Sequence, residues 1–115
     1  SRVLYLPMPL IPLADLEHAS HCLKTVAHPV RLRIIEMAME QEVSVGGLAE
    51  ACGLAQAQVS GHLRILRDRG LVADRRDGRH VYYRVSEPGL AGILHCVRHR
   101  LTDRTKQPEL KETTP

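Results

Sequence analysis

The sequence predicts a mainly α-helical domain with a small β-hairpin, in the order α-α-α-α-β-β-α. Three observations carry this. Apolar residues recur at helical spacing near both ends, two helical stretches flank a turn at Gly53, and from Leu71 to Val85 the period changes to two. The chain has 115 residues, 43% of them hydrophobic and 25% charged, which suits one compact core. With no Trp, no Phe and three Tyr, aliphatic side chains must fill that core, and aromatic platforms for stacking single-stranded bases are not expected.

Residues 1–12 carry Pro7, Pro9 and Pro12 and read as an extended arm, 13–102 as the folded domain, and 103–115 as a polar, flexible tail. Leu16, Ala19, Leu23 and Val26 mark a first helix and are expected to face the core. Pro29 opens a second, with Val30, Ile34 and Met37 on one stripe and an end near Glu40. Ser44 is a fair N-cap for a short third helix holding Leu48 and Cys52, and Gly53 suits its end. Val59, Leu63 and Leu66 mark a fourth helix that stops at Gly70. Val81, Tyr83 and Val85 alternate against Tyr82 and Arg84, and Asp77-Gly78 is a two-residue hairpin signal. Ser86 and Glu87 open a last helix with Leu90, Ile93, Leu94, Val97 and Leu101 on its apolar stripe.

The net charge is +3, and its distribution is uneven. Residues 64–100 hold nine arginines against Asp68, Asp74, Asp77 and Glu87, whereas residues 1–63 are slightly acidic. Thirteen of the sixteen cations are Arg, whose planar fork grips phosphate and guanine edges. No apolar run approaches the roughly 20 residues of a membrane helix, so a cytoplasmic protein without a membrane partner is expected. Cys22, Cys52 and Cys96 form neither a disulfide framework nor a C-x-x-C knuckle.

A short helix, a turn and a second helix rich in small polar residues suit a reader of double-stranded DNA, because the second helix must lie in the major groove. With Val59, Leu63 and Leu66 inward, Gln56, Gln58, Ser60 and His62 are expected outward, and Gln pairs bidentately with adenine. Arg64 and Arg67 follow beside a phosphate strand. Arg75, Arg76 and Arg79 cluster about the hairpin tip, suited to a neighbouring minor groove or backbone. Gly61 weakens its helix by about 1 kcal/mol relative to Ala and would permit close backbone approach to DNA. A protein-binding module of the same shape is the competing reading. With no carboxylate beside the histidines in sequence and no Gly-rich phosphate loop, an enzyme is not expected.

The segments L-K-T-V-A-H-P-V-R-L-R-I-I, V-S-G-H-L-R-I-L-R-D-R-G-L-V and D-G-R-H-V-Y-Y-R-V together resemble the ArsR/SmtB family of bacterial winged helix-turn-helix repressors over about 80 residues. The resemblance implies a homodimer built through the first and last helices. It further implies one recognition helix per operator half-site and release of DNA when a metal ion or other small effector binds. By position, the family's base-contacting places fall on Gln56, Ala57, Ser60 and Gly61, and Ala55 stands where a capping Ser is usual. The thiolate site of arsenic- and cadmium-sensing members falls on Ser44 and Gly46. The ligand set of zinc-sensing members falls on Glu87, Gly89, Arg100 and Asp103. Neither site is expected here.

What remains is a less familiar set. At about 100° per residue, His18, His21 and Cys22 share one side of the first helix, away from Leu16, Ala19 and Leu23. His95, Cys96 and His99 cluster likewise on the last. Brought together across a dimer, these six residues would suit a transition metal: zinc, nickel, cobalt or copper. One alternative is that the six residues are a solvated face or ordinary interface filler, and another is a thiol-responsive repressor in which Cys22 and Cys96 pair or capture a soft electrophile. His28 and His80 read as structural or surface residues, and Cys52 as a small core residue.

Overall fold

A computed structural model describes residues 8–102. The tail 103–115 and most of the N-terminal arm therefore lie outside the described residues. Helix α1 spans Leu13–Val26, α2 Pro29–Glu40, α3 Val45–Cys52 and α4 Gln56–Asp68. Strands β1 (Val43–Ser44), β2 (Val72–Asp77) and β3 (His80–Val85) form a sheet in the order β1-β3-β2. Helix α5 runs Leu90–Cys96 and continues as a π-helical turn over Val97–Leu101.

Local chemistry explains most boundaries. Pro29 starts α2, and the N-cap is His28, whose Nδ1 accepts the Val30 N–H at 3.1 Å. Ser44 Oγ caps α3 through Gly47 N–H at 3.0 Å, and Gly53 ends it at φ +67, in the left-handed region that favours glycine. Ala55 offers α4 no capping oxygen. Only half of a capping box exists, in which Gln58 Oε1 accepts the Ala55 N–H at 3.1 Å.

The hairpin differs from its expectation by one residue. Asp77 pairs with His80, so the two-residue loop is Gly78-Arg79, with Gly78 at φ +65 and no positive φ at Arg79. Glycine at the first loop position is the pattern of a II′ turn, and the shift carries Arg79 onto the tip. Strand β1 is too short for a period of two to reveal. Its residues Val43 and Ser44 pair with Tyr83 and Tyr82 and fasten the start of α3 to the wing. The last helix begins later than Ser86 because Glu87 turns back to accept the Gly89 N–H at 2.8 Å.

The core lies between α2, α3, α4, the base of the sheet and α5. Ile34, Ile35, Leu48, Val59, Leu63 and Leu66 are its largest fully buried side chains, joined by Leu71, Val72, Leu90 and Leu94. On α2 the buried positions are Ile34, Ile35 and Ala38, while Val30 and Met37 only border the core.

The expectation for α1 holds at Val26 and fails at Leu16 and Leu23. Only Thr25 and Val26 are buried on it, while Leu13, Leu16 and Leu23 stand 73%, 45% and 51% exposed. His18 and Cys22, expected on the far side, border the same groove as Ala19 and Leu23, with Leu71, Leu90 and Ile93 opposite. Periodicity identifies a face that seeks contact but not the chain that supplies it. Leu101 is likewise 72% exposed at the end of the π-helical turn. That turn is tied to α2 by Arg98, which donates to Glu36 at 3.3 Å, and Arg33 shares the same carboxylate.

Candidate nucleic-acid interface

Helix α4 turns Val59, Leu63 and Leu66 into the core, which leaves it two flanks and an outer ridge. On the wing side, Gln56 and Ser60 border an open groove of about 460 Å³ whose other wall is Arg79, His80 and Val81, with Ser44 at its end. The groove joins the polar start of α4 to the hairpin tip, so a helix and a cationic strand edge address one surface. The structure thus places Gln56, Ser60 and Arg79 around one groove. The groove also includes His80, which follows the hairpin tip opposite Asp77, and Ser44, which the β1–β3 pairing places opposite Tyr82.

The outer ridge is nearly bare. A Cβ built on Gly61 would meet nothing within 4 Å, so no packing inside the protein requires glycine there. Gly61→Ala is therefore expected to stabilise the fold by about 1 kcal/mol in urea melts while weakening DNA binding. Unchanged affinity would remove the close-approach role.

Several expected contacts are engaged elsewhere. Arg75 lies mid-strand rather than at the tip. Its guanidinium grips both oxygens of Glu42 at 2.8–3.1 Å and sits 5.2 Å over the Tyr82 ring. The hydrogen bonds from Arg75 hold the Glu42 carboxyl below its ordinary range. Arg67 faces Asp74 at 3.5 Å, so its charge is partly balanced. Among the described residues Arg64, Arg76 and Arg79 have no ion-pair partner. Gln58 is occupied by its capping bond.

His62, expected to face outward, is half-buried against α2. Its Nδ1 accepts from Arg31 Nε at 3.1 Å, and its ring centroid lies 4.6 Å from that of His28. Burial first, then the neighbouring His28 and Arg31, holds its pKa below the ordinary imidazole value. Protonation would set a donor against the Arg31 donor. The folded pKa is lowered, so this contribution is complete above the unfolded value of about 6.5 and fades as pH falls below it, where the unfolded chain binds the proton first. His62→Gln should therefore flatten the fall of the thermal midpoint between about pH 7.5 and about pH 5.5. An equal fall in both proteins would show that His62 does not titrate against Arg31.

The residues singled out on the terminal helices form pairs rather than a cluster. His18 Nε2 lies 3.9 Å from Cys22 Sγ, and the His95 and His99 rings are 4.4 Å apart. His21 and Cys96 are exposed. Among the described residues, no three His, Cys, Asp or Glu side chains within the protomer converge to hold a metal. Cys52 is half-buried on α3, and no helix among the described residues is long and apolar enough to cross a membrane.

Comparison with known proteins agrees with this geometry. The profile described as "Bacterial regulatory protein, arsR family" matches residues 28–74, from the cap of α2 into β2. The nodulation protein NolR of Rhizobium meliloti is 36% identical over 105 residues, covering 91% of this chain and 86% of that protein. The crystal structure of the transcriptional repressor BigR from Xylella fastidiosa superposes with a TM-score of 0.69 at 32% identity, covering 81% of this chain and 99% of that one. A homodimeric winged helix-turn-helix DNA-binding domain from Mycobacterium bovis matches with a TM-score of 0.65 at 30% identity, covering 75% and 80% of the two chains. Helices, wing and sequence agree along most of the described length, and the chain belongs to the ArsR family of bacterial regulatory proteins.

Proposed function

We propose that the protein is a transcriptional repressor that reads an operator in double-stranded DNA as a homodimer and releases it when an effector binds between the terminal helices. The observation that carries the reading is the groove in which Gln56 and Ser60 of α4 face Arg79 and His80 of the wing. Polar side chains on the helix can read base edges, while the wing grips the adjacent strand.

The exposed Leu13, Leu16 and Leu23 on α1 and Leu101 after α5 support pairing with a second copy. Two recognition helices on one face of DNA must stand roughly 34 Å apart, and an effector lowers affinity by favouring a dimer with another spacing.

For the effector, the donor types of His18, His21, Cys22, His95, Cys96 and His99 suit zinc, nickel, cobalt or copper. Among the described residues one protomer gathers only pairs of them, which supports a metal site shared between two protomers. The nearness of His18 to the Cys22 thiol also favours a second reading, in which Cys22 and Cys96 respond to oxidants or electrophiles.

A gel-shift titration against the protein's own promoter tests the DNA reading. Specific binding that weakens steeply with salt is expected, and binding indifferent to sequence would overturn operator reading. Elemental analysis of the purified dimer beside His21→Ala and Cys96→Ser tests the metal. Equal metal content in all three would exclude it.

A further inference from the structure

A helix seated in the major groove has a phosphate strand on each side. The wing addresses one of them. On the opposite flank of α4 the structure holds a second open groove, of about 450 Å³, bordered by Arg31, Gln58, Gly61, His62 and Arg64. No carboxylate lines it, and among the described residues neither Arg31 nor Arg64 is ion-paired.

We propose that Arg31, His62 and Arg64 form a clamp for the second phosphodiester strand, so that α4 is gripped from both sides; this rests on the DNA-binding reading above. Arg31 comes from α2, outside the helix-turn-helix and the wing. Two bonds orient its guanidinium, from Nε to His62 Nδ1 at 3.1 Å and from Nη1 to the Thr25 carbonyl at 3.0 Å. Because His62 Nδ1 is an acceptor there, the ring proton lies on Nε2, which makes the imidazole a neutral donor. The groove therefore combines two cationic forks with an N–H donor, a set that recognises phosphate oxygens and carries no base preference. Arg31 is pre-organised, so less side-chain entropy is lost when it meets the strand.

The test measures anisotropy of a fluorescein-labelled random-sequence duplex with the full chain across a salt series. Arg31→Gln, Arg64→Gln and Arg79→Ala are compared with the unaltered protein, and circular dichroism confirms folding. Each Gln substitution is expected to reduce the slope of log affinity against log salt by about one and the affinity by about threefold or more. Should Arg31→Gln fail to fold, the exposed Arg64→Gln decides. A slope unchanged in the folded Gln variants, with Arg79→Ala lowering it, overturns the clamp and leaves the DNA reading intact. Absence of salt-dependent binding by the unaltered protein overturns that reading and the clamp with it.

Discussion

Leu63→Ala is expected to lower the folding free energy by about 2–5 kcal/mol, the range for truncating a fully buried Leu. Leu63 is 0% exposed, and it sits between Val59 and Leu66, also 0% exposed, on the inward face of α4. The loss joins the transfer free energy of the removed carbons to the cost of a cavity among well-ordered neighbours. A domain of this size is stable by only about 5–15 kcal/mol, so the variant should unfold at markedly lower urea. Midpoints should be compared at one protein concentration, because dimer formation adds to apparent stability. A cost below about 0.5 kcal/mol would show that α4 is not anchored through this face.

Arg76→Ala with Arg79→Ala is expected to weaken duplex binding about tenfold or more at physiological salt and to reduce the salt slope by about two. Arg79 occupies the hairpin tip, and Arg76 pairs across the ladder with Val81 beside it. Both are exposed and make no ion pair among the described residues, so folding should be spared. Arg75→Ala is the contrast. Its charge already meets Glu42, and it should change the slope far less than either tip residue. Equal slopes for the double variant and the unaltered protein would remove the wing from the interface.

The contrast between Arg75 and Arg79 marks the reach of local pattern. Both are arginines of one hairpin, four residues apart, and Arg75 is paired with a carboxylate thirty-three residues away. His62 is similar. Spacing places it on a polar flank of α4, yet Arg31 and His28 arrive from the α2 region and turn it into a packed acceptor. Ser44 and Gly53 were legible because capping acts within three or four residues.

The sequence by itself determined the helices, the hairpin, the inward residues of α4 and the basic character of the second half, since each depends on periodicity, caps or composition along a short stretch. Only the tertiary structure decided which arginines of the described residues are ion-paired, that β1 joins α3 to the wing, and that Leu16 and Leu23 of α1 stand exposed while Val26 is buried. Those outcomes depend on which surfaces meet at long separation in the chain. A pattern of side chains states that a face must be covered or a charge balanced, and packing alone selects the partner.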